Sequence, residues 1–304
     1  MSTTTMHKTW PAIPFATWAS TWDTFLLRTQ IVGKTRLRLM PPLNHSWNTT
    51  LYVSATGLTT ALMPYQGMGV EAAFDLVHDE LTVTTTTGGR RTMGLGSPTV
   101  ADFYAEYFAL LREAGVDVTI SPTPNELPEA IPFAEDRTHV DYDPEAVHQY
   151  WLALVQAHRV LTRFRGQYRG KASPVQYFWG AGDLATTRFS GRRAPRHPGG
   201  APNCPDYVMH EAYSDEVSSC GFWPSFGNEG AFYSYAYPEP KGYREHEVSP
   251  DAARYDETLG EFLLPYEAVR TADDPDALLM DFLTSTFEAA RGLARWEPWP
   301  EPTP

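Results

Sequence analysis

Three side chains of this sequence have the chemistry to move protons, although none stands within a complete catalytic or cofactor motif: His45, Asp183 and Glu211. A neutral histidine nitrogen is available near pH 7, so His45 could serve as a general base, as a ligand or only as a structural hydrogen-bonding group. Asp183 and Glu211 would form a general acid and base if they faced one cavity. We therefore predict these three as candidate catalytic residues.

A segment of the second half, residues 170–195, concentrates aromatic rings, threonines and arginines with strand-like spacing. Within it, Arg188 occupies a position that can point inward. A buried guanidinium could clamp a carboxylate or phosphate through two parallel hydrogen bonds, or it could form an internal ion pair with Asp183 or Glu211. Arg192 follows on the same segment and is either a further substrate contact or part of an exposed loop.

Aromatic residues make up 13% of the chain and include 9 tryptophans. Much of this surface must lie in the core. Alternation along residues 232–237 nevertheless leaves some rings on a second face, where they could line a ligand pocket or a subunit interface. We expect Trp179 and Trp223 to form walls of the pocket, with Tyr213 as another substrate contact.

Metal and phosphate chemistry have less support. Residues 210–216 hold one histidine and three carboxylates, but no HxH, HExxH or CxxC spacing indicates a metal site, and we assign no metal ligand. Lys34 and Lys171 each follow a glycine, yet the GxxxxGK(S/T) frame of a phosphate-binding loop is missing. Cys220 could be a nucleophile, with a buried inert thiol as the alternative. The cofactor is unknown.

The charge balance bears on the partners of the chain. Its 304 residues include 37 acidic and 24 basic side chains, a formal net charge of −13. Because phosphate contacts need clustered lysine and arginine, this balance disfavours nucleic acid and anionic membranes as partners. We find no signal-peptide pattern, no apolar run near the ~18 residues of a membrane span and no disulfide framework. We therefore expect a cytoplasmic protein that binds a small molecule.

Hydrophobic periodicity predicts helices over residues 13–32, 98–114 and 143–165, and from Asp274 to about residue 290. Asp143 and Asp274 each precede a proline, as an N-cap precedes the first turn of a helix. A hairpin turn is predicted at residues 88–89. Strand-like runs cover residues 36–40, 47–55, 58–63, 70–77, 80–87, 90–95, 116–120, 210–222, 231–237 and 259–266.

The two halves of the chain repeat one order of elements: a helix, a Gly-Lys pair, several strands and a capped helix. Residues 33–34 correspond to 170–171, and Trp47 corresponds to Trp179. We therefore predict an α+β fold with an internal duplication, in which two similar halves of helix, antiparallel strands and helix form curved sheets about a pseudo-twofold axis. Two unrelated α+β halves that obey the same patterning rules are the alternative.

This organisation predicts a first repeat over residues 12–121, a proline-rich linker over 122–142, a second repeat with insertions over 143–294 and a flexible tail over 295–304. The pocket would lie between the two sheets or at their mouth.

Short motifs along nearly the whole chain resemble the domain-of-unknown-function family numbered 5996, which comprises uncharacterised bacterial proteins. The motifs are QIVGK (30–34), PPLNHSW (41–47), VADFY (100–104), FWG (178–180), TRFSGRR (187–193), EAYS (211–214), GFWP (221–224), AYPEP (236–240) and EFLLPY (261–266). In the family pattern, histidine is common at the positions of Gln176 and Asp215, and an aromatic residue often stands at that of Gly182. If the family uses those histidines for metal binding or proton transfer, this chain has lost or altered that role.

The leading functional hypothesis is an enzyme, or a derivative of one, that acts on a small anionic organic molecule in an aromatic and arginine-lined pocket. Arg188 would hold the anion, and the candidate catalytic residues would handle protons. The alternative is a non-catalytic ligand-binding or scaffold protein, in which the same residues form a buried polar network and the aromatic rings a homodimer interface. The sequence does not decide whether the chain is an enzyme.

Overall fold

The computed structural model describes residues 10–297, which fold into six α-helices and two antiparallel sheets of six strands each. The predicted α+β class is therefore confirmed. The helices are α1 Ala19–Leu39, α2 Val100–Glu113, α3 Pro144–Gly166, α4 Asp206–Ala212, α5 Tyr266–Thr271 and α6 Pro275–Leu293. The first sheet contains β1 Tyr52–Val53, β2 Gly57–Thr59, β3 Met63–Tyr65, β4 Met68–Asp75, β5 Glu80–Thr85 and β6 Arg90–Gly94. The second contains β7 Gln176–Phe178, β8 Asp183–Arg193, β9 Asp215–Trp223, β10 Ala231–Tyr237, β11 Arg254–Asp256 and β12 Glu261–Pro265.

The two sheets meet at their edges. The first has the strand order β1-β2-β4-β5-β6, with β3 also paired to β4, and the second has the order β11-β12-β10-β9-β8-β7. Leu51, which precedes β1, and Tyr177 of β7 exchange two backbone hydrogen bonds of 3.0 and 2.8 Å. The edge of one sheet therefore continues into the edge of the other.

Local capping signals place the ends of the long helices. Asp143 accepts hydrogen bonds from the first backbone amides of α3, and Asp274 does the same for α6, with proline in the first turn of both. The predicted helix starts at these two positions are confirmed. The N-cap of α2 is Thr99, which accepts from the Asp102 amide, so α2 begins two residues after the predicted helix start at residue 98.

The predicted strand over residues 36–40 is wrong, because α1 continues through Gly33 to Leu39. Gly33 does not end the helix. It instead lets the Trp179 indole lie against the helix backbone, since a Cβ at this position would stand 2.2–2.5 Å from three ring atoms. The predicted strand over residues 116–120 is also wrong, and residues 210–212 belong to α4 rather than to the strand that follows.

The predicted pseudo-twofold duplication is not confirmed. Lys34 lies inside α1, whereas Lys171, its counterpart in the predicted repeat, lies in the segment before β7. Of the predicted tail, residues 298–304 lie outside the described residues. Among the helices within residues 10–297, none combines the length and the apolar character needed to cross a membrane.

The second sheet has two chemically different faces. Helices α3 and α6 cover one face, where the main hydrophobic core includes Leu184, Phe222, Phe232 and Leu264. The opposite face, called the outer face below, carries a separate small cluster of Ala185, Tyr233 and Leu263. Since successive side chains of a strand point to opposite sides, each of these strands contributes to both faces.

We expect Gly33→Ala to lower the free energy of unfolding by about 1–3 kcal/mol, because the added methyl group overlaps the Trp179 indole. Gly292→Ala in α6 is the matched control, since nothing lies within 4 Å of its Cβ position. It should gain about 0.5–1 kcal/mol from helix propensity alone. Denaturant unfolding of both variants measures the difference, and equal stability of Gly33→Ala and the native chain would contradict the close packing of Trp179 on α1.

Candidate functional site

The outer face brings residues from four strands into one row. Asp183 and Ala185 point to this face from β8, because side chains two positions apart share a face. Ala185 is paired with Gly221 of β9, and Gly221 is paired with Tyr233 of β10. On the other side, Gln176 of β7 is paired with Ala185.

Gly221 lets the Tyr233 ring cross the sheet toward Asp183. The Tyr233 hydroxyl donates a hydrogen bond to Asp183 Oδ2. A Cβ at position 221 would lie 2.5 Å from that hydroxyl and 2.5 Å from the Leu184 carbonyl oxygen. Ala185 and Gly221 therefore form a floor of minimal side chains next to the Asp183 carboxyl group.

Two further carboxyl groups accompany Asp183. Glu261 begins β12, one position before the Phe262–Ser234 pair, which places it beside Tyr235 on the outer face. Glu126 comes from the segment between α2 and α3, with its carboxylate lying over Gly180. The group is called the acidic cleft below, and its members are Asp183, Glu126, Glu261, Ala185, Gly221 and Tyr233.

Burial and mutual repulsion raise the pKa values of all three carboxyl groups. Burial raises the pKa of Asp183 to about 6, against the opposing effect of the Tyr233 hydrogen bond. Burial and the charge of Asp183 raise the pKa of Glu126 and of Glu261 to about 7. Glu126 is nevertheless exposed, and the other two are half-buried. Solvent therefore still reaches the three carboxyl groups, although the surrounding protein raises their pKa values.

No cationic side chain neutralises the acidic cleft within the described part of the chain. Over residues 10–297, none of its three carboxylates takes part in an ion pair with lysine, arginine or histidine. The same residues contain no group of histidine, cysteine and carboxylate side chains that could hold a metal ion. The cleft therefore concentrates negative charge that these residues leave uncompensated.

Gln176 adds a buried amide to this row. Its exposed fraction is 0%, yet neither Oε1 nor Nε2 has a hydrogen-bond partner among residues 10–297. Most buried polar groups in proteins are paired, and leaving one unpaired costs about 1–3 kcal/mol. An unpaired amide beside Ala185 is therefore a feature that packing alone does not explain.

Aromatic rings line the rest of the outer face. Tyr233 and Tyr235 are stacked with ring centroids 6.1 Å apart, and the Tyr235 hydroxyl shares a 2.7 Å hydrogen bond with that of Tyr213. Trp223, at the end of β9, stacks on Phe226 at 6.1 Å. Of the predicted substrate contacts, Tyr213 and Trp223 thus reach the same face as Asp183.

The segment that carries Glu126 is fixed to α1 by its neighbour Asn125. Gln30 donates to the Asn125 carbonyl at 3.0 Å and accepts from its amide at 2.8 Å. Lys34 Nζ donates to Asn125 Oδ1, and Asn125 Nδ2 donates to the Asn203 carbonyl. Glu126 has a φ of 62°, a left-handed conformation that a non-glycine residue keeps only where its surroundings hold it. The hydrogen bonds of Asn125 therefore hold the neighbouring Glu126 in the position from which its side chain reaches the cleft.

His45 and Glu211 lie together at the other end of the outer face. The His45 backbone amide donates to Glu211 Oε1 at 3.0 Å, and the His45 ring lies 4.4 Å from that of Phe189. Phe189 follows Asp183 by six positions of β8, about 20 Å along an extended strand. The structure therefore brings His45 and Glu211 together and places Asp183 apart from them.

Both ring nitrogens of His45 are occupied. Lys171 Nζ can only donate, so His45 Nε2 accepts its hydrogen bond at 2.6 Å and Nδ1 donates to a carbonyl at the end of α4 at 3.2 Å. Lys171 is also paired with Asp215 at 3.0 Å. Burial and the Lys171 charge lower the pKa of His45, which keeps the ring neutral. This arrangement joins three segments of the chain and leaves no ring nitrogen for a substrate.

Arg188 lies on the face of the sheet opposite to Asp183, because five positions along a strand reverse the direction of the side chain. Its side chain is 4% exposed and its guanidinium carbon lies 3.4 Å from the ring centre of Phe164 and 4.2 Å from that of Phe287. Burial lowers the pKa of Arg188 to about 10. The guanidinium is thus enclosed by rings of α3 and α6, away from the acidic cleft.

The remaining predicted contacts also have other partners. Trp179 packs on α1 and donates from Nε1 to the Thr49 carbonyl at 2.6 Å. Arg192 is paired with Glu216 at 2.6 Å, on an exposed part of β8. Neither side chain belongs to the acidic cleft.

Sequence reasoning misses Glu126 and Glu261 as site residues. Glu126 lies in the segment predicted to be a linker, where no local pattern distinguishes it. Glu261 alternates with Leu263 along β12, and this period of two was the available signal that both share a face. Gln176 is singled out in the sequence only by its departure from the family pattern.

A family model described as a family of unknown function, DUF5996, matches residues 10–299. The chain belongs to DUF5996. The resemblance indicated by the short motifs is therefore confirmed. Comparison of the DUF5996 chain with curated proteins and with solved structures gives no match. Since the family description names no activity, the chemistry of the acidic cleft has to be argued from its side chains.

We expect Asp183→Asn to stabilise the chain at pH 8 by about 1–2 kcal/mol. Folding raises the pKa of this carboxyl from 3.8 to about 6, so the folded state disfavours its ionised form. That penalty is fully present above pH 6 and disappears as the pH falls toward 4. Thermal unfolding at pH 8 and at pH 4 measures the change, with Glu113→Gln at the exposed end of α2 as the control for lost charge. A pH-independent effect would contradict the raised pKa.

We expect Arg188→Ala to lower the free energy of unfolding by about 2–4 kcal/mol, because it removes a buried side chain that fills space between aromatic rings. Arg188→Met keeps most of that volume without the buried charge and should be much closer to the native chain. Denaturant unfolding ranks the three proteins. Protection of the native chain by benzoate or phosphate, lost in Arg188→Met, would instead support the anion-binding role predicted from the sequence.

Proposed function

We propose that the acidic cleft binds a small organic cation and that Asp183 exchanges protons with the bound molecule. The observation that carries this proposal is that three carboxylates, without a cationic partner within the described chain, lie close enough on the outer face to raise one another's pKa values while solvent still reaches them. Other carboxylates of the second sheet do have cationic partners. Asp215, for example, has Lys171 at 3.0 Å and Arg193 at 3.2 Å. A cationic ligand would supply the partner that residues 10–297 do not provide.

The aromatic surroundings favour an organic cation over a simple ion. The rings of Tyr233, Tyr235 and Trp223 lie on the same face of the sheet as the carboxylates, and aromatic rings attract cations through their quadrupole. Carboxylates for the charge and rings for the skeleton are the complementary elements that such a ligand requires.

The raised pKa values support acid–base chemistry. A carboxyl group with a pKa of about 6 is present in both protonation states near neutral pH, which suits a general acid or base. Tyr233 holds Asp183 in place and supplies a hydroxyl next to it. These features favour an enzyme over a scaffold, and Asp183 is the group from the predicted catalytic set that lies in the cleft.

The proposal reverses the ligand charge that the sequence suggested. Arg188 faces the rings of α3 and α6, and Arg192 is paired with Glu216, so neither is assigned to the ligand here. The aromatic pocket of the original hypothesis is retained. A small molecule rather than nucleic acid as partner, which the net charge of −13 supports, and a cytoplasmic location remain parts of the proposal.

Benzylammonium and benzoate, which are similar in shape and opposite in charge, test the proposal. We expect benzylammonium to bind at pH 7.5 and benzoate to show no binding in calorimetric titrations. Glu261→Gln should weaken benzylammonium binding about tenfold, equivalent to about 1.4 kcal/mol. Glu113→Gln, which removes the same charge far from the cleft, should bind like the native chain. Affinity should also fall as the pH is lowered from 8 to 5, because carboxyl groups with pKa values of about 6 and 7 become protonated.

Equal binding of the two probes, or equal weakening by Glu261→Gln and Glu113→Gln, would contradict a site in the acidic cleft. Absence of benzylammonium binding under all conditions would favour the scaffold alternative.

A further inference from the structure

A cavity on the outer face lies between the loop that joins β9 to β10 and the start of α5. Its volume is about 150 Å³, enough for a group the size of a benzene ring. It is lined by Ala231, Leu263, Pro265, Arg254, Glu267 and the loop residues 226–230. Gly227, Arg254 and Glu267 are exposed, so a ligand from solvent can reach the cavity. This group of residues is called the lateral cavity below.

The base of the lateral cavity is apolar. Ala231 and Leu263 point to the outer face, because the residues that follow them, Phe232 and Leu264, belong to the main core on the other face. Phe226 closes one side, where it packs against the small cluster that contains Leu263. An apolar group that moves from water into this space is stabilised by the hydrophobic effect. The lateral cavity therefore favours a ligand with an apolar side group.

Two charged side chains border this apolar base. Arg254 is paired in register with Leu263, so its side chain lies on the outer face. It forms no ion pair with any side chain of residues 10–297. Glu267 lies 3.9 Å from Arg270, and Arg270 is already held by the buried Glu229 at 2.8 and 3.2 Å. A guanidinium and a carboxylate are therefore both available to a ligand in the lateral cavity.

We infer that the lateral cavity binds a free α-amino acid with an apolar side chain, such as phenylalanine or leucine. Arg254 holds the carboxylate through two parallel hydrogen bonds, the geometry in which a guanidinium matches a carboxylate. Glu267 holds the ammonium group, and the side chain of the amino acid fills the apolar base. The opposite charges of Arg254 and Glu267 complement a zwitterion. This site is separate from the acidic cleft and does not depend on the proposed function.

NMR titrations at pH 7.5 with L-phenylalanine, glycine and 3-phenylpropanoate test the inference. Glycine keeps both charges but lacks the side chain, and it should bind at least about tenfold more weakly than phenylalanine, because the burial of the ring is lost. 3-Phenylpropanoate keeps the ring and the carboxylate but lacks the ammonium group, and it should also bind about tenfold more weakly. Glycine or 3-phenylpropanoate binding as tightly as phenylalanine would contradict the assigned ligand class.

Substitutions of the two charged residues locate the site. Arg254→Gln and Glu267→Gln should each weaken phenylalanine binding about tenfold. For 3-phenylpropanoate, Arg254→Gln should weaken binding and Glu267→Gln should not, because this probe lacks the group that Glu267 holds. The matched controls are Arg112→Gln and Glu113→Gln at the exposed end of α2, which remove the same charges and should bind both probes like the native chain.

Phenylalanine binding that is equal in Arg254→Gln and Arg112→Gln, or in Glu267→Gln and Glu113→Gln, would overturn the inference. Absence of phenylalanine binding to the native chain would also overturn it. Since Arg254 and Glu267 are exposed, both variants should unfold at nearly the native temperature, which thermal unfolding checks. None of these results bears on the acidic cleft, which benzylammonium and Glu261→Gln test separately.

Discussion

The alternation of side chains along β8 is the constraint on which the rest of the second sheet depends. Asp183 and Arg188 stand on one strand, but an odd number of steps separates them, so they face different environments. Asp183 meets Tyr233 on the accessible outer face, and Arg188 meets the rings of α3 and α6. A slip of one residue in the pairing with β9 would exchange these environments, and the apolar core under the helices prevents such a slip.

The outer face presents two polar clusters with different degrees of pairing. Around His45, each charge has an opposite charge or an acceptor, and Lys171 connects the imidazole to Asp215. Around Asp183, the carboxylates repel one another and Gln176 has no partner among residues 10–297. In the first cluster the polar groups are paired with one another, as in a structural hydrogen-bond network. The second lacks such pairing among residues 10–297, and this contrast is the physical basis for the proposed function.

Local signals in the sequence predicted the parts of the fold that depend on local chemistry. Proline after aspartate marked the starts of α3 and α6, and β10 has the predicted bounds of residues 231–237. The end of α1 could not be predicted in this way, because the role of Gly33 is set by Trp179 far along the chain. The same limit applies to the site. The sequence identified Asp183 and the aromatic rings as candidates. The face on which Arg188 lies depends on the register of β8 with β9. The position of Glu126 depends on the hydrogen bonds of its neighbour Asn125 to α1.

The junction of Leu51 and Tyr177 also has a consequence for the borders of the two sheets. Exposed border strands offer rows of free amide and carbonyl groups to which another chain can add. The junction pairs the border at β1 with the border at β7. The opposite borders, β6 and β11, carry the exposed arginines 90, 91 and 254. Like charges on the β6 and β11 borders disfavour strand-to-strand contact between two copies at these borders. These arginines should therefore protect the β6 and β11 borders against the addition of another chain.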